Sequence, residues 1–227
     1  MAIFIETVSL DELKERFSLF LYKIFAPKIF KALMRGDDEK VLSLATEKTL
    51  KNARGPFGQT VLVFCIQSKK SELACALIQK GGSFQGDGSL INAAMAGDQA
   101  VIDMLLNNGM DPNDTSGNSE YHQGHTALMW ATNRHYFGIM QSLLKAGVDV
   151  NAISSDNTTA AMYTSDANDK DLQALKILLE YRPNVTIKDW RGRDLLQEAL
   201  DRKNCSGKPE MYELLISNYP NLRGVNA

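Results

Sequence analysis

Cysteine, histidine and an excess of charge of one sign are all scarce in this chain, and each shortage excludes a class of protein. Its 227 residues include three cysteines and three histidines, and its net charge is −2. The odd number of cysteines (Cys65, Cys75 and Cys205) and their spacing argue against a disulfide framework and against a structural zinc site. The near-neutral charge leaves no basic face for a phosphate backbone, so we expect no nucleic-acid partner.

The chain also lacks an apolar run long enough to cross a membrane. Residues 17–25 are its most apolar stretch near the start, and they include Lys23, whereas a spanning helix needs about 20 apolar residues. The first ten residues have neither the basic start nor the small-residue cleavage site of a secretory signal. We therefore expect a cytoplasmic protein without a membrane partner, with delivery into a host cell as the alternative.

An apolar pair followed by a short polar step and a turn recurs along the chain. The spacings between the first residues of successive pairs are 105−77=28, 143−105=38, 178−143=35 and 214−178=36. Repeats of about 33 residues are typical of one class of helix-turn-helix array. The pairs begin at Leu77, Leu105, Leu143, Leu178 and Leu214.

A polar turn that opens a short helix of small residues precedes each pair, as in "GHTALMWATNRH" (124–135). The two elements together resemble the ankyrin repeat, in which a Gly-x-Thr-Pro-Leu-His turn begins the first of two helices. The resemblance covers about residues 26–220, although the Pro-Leu-His part is replaced in every copy. It implies an all-α solenoid of helix-turn-helix repeats joined by short β-hairpin loops, the fingers.

The resemblance also predicts how the chain is divided. Residues 1–25 are predicted to form an N-terminal capping helix, because Ser9 and Glu12 have capping-box spacing and apolar residues follow at helical intervals. A partner-binding amphipathic helix is the alternative there, and a membrane-surface helix is less favoured. The remaining segments are a degenerate first repeat (26–56), five repeats (57–85, 86–113, 114–152, 153–186 and 187–222) and a tail (223–227).

Glycines mark the end of the second helix in three of the repeats. Gly81, Gly109 and Gly147 follow the apolar pairs at the position where a left-handed residue ends a helix. Arg182-Pro183 takes this place in the next repeat, where Pro183 cannot continue the helix.

Three histidines lie close together in the chain, and three imidazoles could hold a zinc ion. His122 and His125 fall on a predicted finger, however, whereas His135 follows the next helix. No H-E-x-x-H or C-x-x-C pattern reinforces them. A metal-dependent enzyme that uses this cluster is therefore the least favoured function, and we predict no catalytic residue, metal or cofactor.

The resemblance implies that a protein partner binds the concave face, which ankyrin fingers and first helices form. We therefore predict a non-enzymatic protein-interaction module that is monomeric, with a small bacterial effector or regulatory protein as the alternative. Trp130 is predicted to pack inside the array, and Trp190 either folds back on its neighbouring repeat or stands exposed at a partner site. The predicted partner-binding residues are Tyr121, His122, Gln123, His125, Asn133, Arg134, Trp190, Arg191 and Arg193.

Overall fold

The structure, a computed structural model, describes residues 26–81, 84–117, 123–206 and 209–223. The predicted capping helix over residues 1–25 lies outside this part of the chain. Helices form all the regular secondary structure of the described residues, which confirms the all-α class. No helix in that part has both the length and the apolar character needed to cross a bilayer. The chain divides into two compact units, residues 1–83 and 84–227.

The first unit contains two helix pairs with a short helix between them. Polar side chains begin three of its helices: Asp37, Thr46 and Thr60 each accept a hydrogen bond from a backbone N–H in the first turn. Phe30 is fully buried and meets the ring of Phe64 edge-on, with 5.5 Å between ring centroids. The helices are α1 (Lys28–Arg35), α2 (Asp38–Leu44), α3 (Glu47–Asn52), α4 (Val61–Gln67) and α5 (Ser71–Gln79).

The second unit stacks four helix pairs. Contacts between elements show the stacking: α6 packs on α8 and α8 on the first 3-10 helix, while α9 contacts both α7 and α10. Within the first three pairs the two helices are joined by a tight turn. The elements are α6 (Ser89–Ala96), α7 (Gln99–Asn107), α8 (Ala127–Asn133), α9 (Phe137–Lys145), a 3-10 helix (Ala160–Thr164), α10 (Asp169–Leu179), α11 (Leu195–Ser206), α12 (Glu210–Asn218) and a second 3-10 helix (Pro220–Leu222).

The repeat over residues 153–186 differs from its neighbours because its first helix is a 3-10 helix of five residues. Met162 N donates to Thr159 O and Ser165 N donates to Met162 O, each at 3.2 Å. These bonds span three residues rather than four, so the helix is tighter and ends after little more than one turn.

The apolar pairs form the core between repeats, as predicted, with one shift of register. Leu77, Leu105, Leu143 and Leu178 are each exposed by 1 % or less. In the last repeat the sequence placed the pair at Leu214, and this was wrong. The buried pair there is Leu215 and Ile216.

The turns after the second helices have the backbone conformation that the sequence predicted. The φ angles of Gly81, Gly109 and Gly147 are +82°, +81° and +87°, in the left-handed region. Arg182, which stands where glycine is expected, has φ +53° and therefore carries some backbone strain.

Amide side chains connect the loops that follow these turns. Asn113 Oδ1 accepts a hydrogen bond from the backbone N of Asp149 at 2.8 Å. One repeat further on, Asn151 Oδ1 accepts from the backbone N of Asn184 at 2.6 Å. Each asparagine therefore fixes its own repeat against the next. The donor is a backbone N–H, so the bond does not depend on the side chain at the donor position.

No strand is assigned in the described residues, and the predicted β-hairpin fingers near residues 154–158 and 188–193 are tight turns. In the last finger one backbone bond closes the turn, from Asp189 N to Arg193 O at 2.8 Å. Ser154 N and Thr158 O make the same bond at 3.1 Å one repeat earlier. A single bond makes a turn but no β-ladder, because a ladder needs successive bonds along two strands.

Candidate protein-interaction surface

The finger of residues 188–193 is held rigid by its own aspartate. Asp189 Oδ1 accepts hydrogen bonds from the backbone N of Arg191 at 2.8 Å and from the backbone N of Arg193 at 2.9 Å. Gly192 supplies the left-handed residue of the turn, with φ +76°. Aspartate is suited to this position because its short side chain reaches backbone N–H groups two residues ahead.

Trp190 and Arg191 form a stacked pair at the tip of this finger. Trp190 is 65 % exposed, so it does not fold back on its neighbouring repeat, and its role at a partner site stays a prediction. The guanidinium carbon of Arg191 lies 4.7 Å from the indole centroid, within range of a cation–π interaction. Each side chain therefore restricts the motion of the other while both remain open to solvent.

Backbone hydrogen bonds connect three successive fingers. Trp190 N donates to Asp156 O at 3.2 Å, and Ser155 N donates to Gln123 O at 2.9 Å. A Cβ on Gly124 would lie 3.3 Å from Ser154 Cα, so this glycine permits the close approach of two fingers. We call the exposed residues Gln123, Ser155, Trp190 and Arg191 the finger face.

Arg193 was predicted to bind a partner, but it is engaged within the chain. Its Nη1 lies 2.8 Å from Glu198 Oε2, and its Nη2 lies 3.8 Å from Asp189 Oδ2. The side chain is partly exposed, yet its charge is neutralised by these two carboxylates. It therefore holds the 188–193 finger against α11.

A cavity of about 60 Å³ lies beside Arg193, lined by Met162, Asp189 and Leu195 among others. This volume holds about two water molecules. It is far below the several hundred Å³ of a typical small-molecule site.

His125 is the clearest correction among the predicted partner-binding residues. Its side chain was expected to be exposed on a finger, and it is 4 % exposed. His125 Nε2 and the hydroxyl of Tyr163 share a hydrogen bond of 2.6 Å, and the imidazole packs against Trp130, with 5.7 Å between ring centroids. His125 therefore connects its own repeat to the next and cannot contact a partner directly. Trp130 is 8 % exposed, as predicted for a packing role.

His135 makes a second bond between the same two repeats, at the opposite end of α8. Its Nε2 lies 2.6 Å from Asp171 Oδ1, and the Asp171 side chain is 3 % exposed. The carboxylate also accepts from Asn168 Nδ2 at 2.6 Å. His135 has φ +57°, the conformation that Gly97 adopts with φ +74° after α6.

These positions separate His125 from His135 by the length of α8, roughly 10 Å for seven residues. One metal ion cannot bind both, since zinc ligands lie about 2 Å from the metal. The described residues contain no group of three potential metal ligands. His122 and Tyr121 lie outside the described residues, so their predicted roles stay predictions.

Asn133 and Arg134, two more predicted partner-binding residues, are exposed at the end of α8. They lie next to His135, at the C-terminal end of α8, whereas Gln123 and the fingers lie at its N-terminal end. The predicted partner-binding residues are therefore divided between the finger face and a second place, near the turn between α8 and α9.

Two methionine sulfurs accept hydrogen bonds at the starts of helices, a role that was predicted for no residue from the sequence. Met129 Sδ accepts from Thr126 N at 3.4 Å, and Met162 Sδ accepts from Thr159 N at 3.5 Å. Both stand where the ankyrin motif has its histidine. The sequence did contain a sign of this role. A sulfur at the third helical position can accept a hydrogen bond from the backbone N–H of the capping residue, much as a Glu or Gln side chain does in a capping box.

Two buried groups in the described part have strongly raised pKa values. Burial raises the pKa of the Cys65 thiol to about 12, with smaller opposing effects of Lys70 and Asp38. Burial, assisted by the charge of Asp156, raises the pKa of Tyr163 to about 12. Both groups therefore stay protonated near neutral pH, and neither is an activated nucleophile.

A family model of ankyrin repeats in three copies matches residues 65–154 and 90–189, which together make up more than half of the chain. The chain belongs to the ankyrin-repeat family. Proteins of this family generally act as protein-interaction modules and are typically non-enzymatic. No curated protein matches this ankyrin-repeat chain.

Solved structures of ankyrin repeat proteins have the same fold. An ankyrin repeat domain from Acinetobacter baumannii AYE is 25% identical, with a TM-score of 0.72 over 84% of this chain and 96% of that one. The ankyrin repeat protein EF0377 is 22% identical, with a TM-score of 0.68 over 82% of this chain and 95% of that one. The second likeness shows the fold alone.

Proposed function

We propose that this ankyrin-repeat protein is a non-enzymatic binding module whose finger face contacts a protein partner. The observation that carries the proposal is the stacked pair Trp190 and Arg191, exposed at the tip of a rigid finger. Tryptophan and arginine are the residue types most enriched at the energetic centres of protein interfaces.

The rigidity of the finger supports the proposal. Because Asp189 and the bond to Asp156 O already fix the backbone, binding a partner orders few additional groups. Ordering a side chain at an interface costs about 0.5–1.5 kcal/mol, so a prearranged pair keeps more of its contact energy. An exposed tryptophan has no evident role in stabilising the folded chain.

The test is affinity capture with purified protein, followed by identification of the bound proteins by mass spectrometry. We expect one or more partners of the unmodified chain to be lost with Trp190→Ala/Arg191→Ala. The matched control is Tyr181→Ala, which removes an aromatic side chain that is 39 % exposed at the end of α10. Circular dichroism must show that both variants are folded.

Capture of the same partners by the folded double variant would contradict the proposed surface. A partner lost with Tyr181→Ala, and retained with the double variant, would place the interaction on the second helices instead. A cytoplasmic location and a monomeric state stay predictions from the sequence.

A further inference from the structure

The tip of the 188–193 finger carries two cations that form no ion pair within the part of the chain that the structure describes. Lys188 and Arg191 are exposed, and neither makes an ion pair with any described residue. The nearby arginines behave differently: Arg193 pairs with Glu198, and Arg202 pairs with Asp166. Lys188 and Arg191 are therefore two exposed cations on one turn that no described carboxylate pairs with.

Two carboxylates, on this finger and on the one next to it, accept hydrogen bonds from their own turns. Asp189 accepts two backbone N–H bonds through Oδ1. Asp156, on the adjacent finger, accepts hydrogen bonds from the Ser154 and Thr158 hydroxyls, which hold it within its own turn. These hydrogen bonds hold both carboxylates within their own turns, and neither carboxylate forms an ion pair with Lys188 or Arg191.

We propose that the 188–193 finger binds an acidic segment of the protein partner, with carboxylates on Arg191 and Lys188 and an apolar side chain against Trp190. This inference rests on the proposed function, because it names the chemistry of the partner at the same finger. The guanidinium suits a carboxylate because its planar N–H groups donate two parallel hydrogen bonds. Stacking on the indole leaves the edge of that plane open to such a ligand.

Nucleic acid is the other class that an exposed tryptophan beside cations suits, since bases stack on indole rings. The surroundings favour the acidic peptide. A phosphate backbone needs a basic track, and the other two members of the finger face, Gln123 and Ser155, are uncharged, whereas a short acidic segment needs only the two cations at this tip. The test therefore includes a nucleic acid as a competing ligand.

The probes are a short peptide that alternates Glu and Leu, the same peptide with Gln for each Glu, and oligo-dT. Binding to the whole chain is followed by tryptophan emission, because Trp190 is 65 % exposed and Trp130 is 8 % exposed, so an external quencher reaches mainly Trp190. We expect the Glu peptide to bind and to protect Trp190 from acrylamide, and its affinity to fall as salt is added.

The charge variant is Lys188→Glu/Arg191→Glu, for which we expect the affinity for the Glu peptide to fall by about tenfold or more. The matched control, Lys145→Glu/Lys176→Glu, makes the same change in net charge at two exposed positions on α9 and α10 and leaves binding unchanged. Equal binding of the Glu and Gln peptides, no binding of the Glu peptide, or preferred binding of oligo-dT would each overturn the inference.

The same variant separates this inference from the proposed function. If a captured partner requires Trp190 but tolerates Lys188→Glu/Arg191→Glu, the finger face is the binding surface and the acidic class is wrong. If the partner requires neither, both the surface and the acidic class fail.

Discussion

Replacing His135 tests whether the histidine stabilises the fold through its side chain and whether its backbone carries strain. His135 bonds the buried Asp171 of the next repeat and has a left-handed φ of +57°. His135→Ala removes the imidazole and keeps a Cβ in that conformation. His135→Gly removes the imidazole and the strain together, and it reproduces the residue that the chain has at Gly97, in the equivalent turn after α6.

The expected magnitudes follow from the geometry. A hydrogen bond to a charged group contributes about 1.5–3 kcal/mol. We place His135→Ala near the lower end, at about 2 kcal/mol, because Asp171 retains Asn168 Nδ2 as a donor and the His135 side chain is 24 % exposed. Relief of left-handed strain returns about 1 kcal/mol, so His135→Gly should cost about 1 kcal/mol.

Urea unfolding near neutral pH measures both variants. A Trp190→Phe background leaves Trp130 as the single tryptophan, and Trp130 lies on α8, the helix that His135 follows. Agreement between its emission and circular dichroism tests for a two-state transition. Equal losses for the Ala and Gly variants would refute the strain argument. A loss below about 0.5 kcal/mol for His135→Ala would refute the contribution of the bond to Asp171.

Three further outcomes are expected. Leu144, at 3 % exposure, packs between repeats, so Leu144→Ala should lower the free energy of unfolding by about 2–5 kcal/mol, and a loss under about 1 kcal/mol would contradict its core position. The pKa of Tyr163 is raised by burial from 10.0 to about 12, so the stability that its neutral form contributes is full below pH 10.0 and is lost as the pH rises through 12. Urea titrations over this pH range should show a smaller decline in the free energy of unfolding for Tyr163→Phe than for the unmodified chain. Cys205 is exposed, whereas Cys65 is buried and has a pKa raised by burial to about 12. Ellman's reagent should therefore modify Cys205 at once and Cys65 upon unfolding. A fast phase of modification that keeps its full size in Cys205→Ser would contradict this assignment.

Features that depend on neighbours along the chain were predictable. The left-handed glycines, such as Gly147, follow from the end of a helix, where a residue without a Cβ is favoured. The buried leucines, such as Leu143, follow from the spacing of apolar residues on one helix face. The shift of the last pair from Leu214 to Leu215 shows the limit of this reasoning, because two leucines in a row fit the pattern in either register.

The contacts of His125 and His135 could not be predicted from the sequence. His125 follows a finger glycine and is polar, so exposure was the natural expectation. Its partner Tyr163 is 38 residues away in the chain, and the partner of His135, Asp171, is 36 residues away. No local pattern announces such pairs, since the residues meet through the stacking of one repeat on the next.

The finger face shows the same division. Its tryptophan and arginine were predicted to bind a partner because these residue types stand at a turn with no apolar neighbours to cover them, and this role stays a prediction. That Arg191 stacks on Trp190 without an ion pair to any residue that the structure describes, whereas Arg193 is neutralised by Glu198, depends on where α11 lies against the finger. Short-range chemistry along the chain accounts for the helices, their turns and the repeat itself. Contacts between repeats account for which polar side chains are buried and which charges lack an ion pair in the described part of the chain, because burial and ion pairing are properties of the packed array rather than of any one repeat.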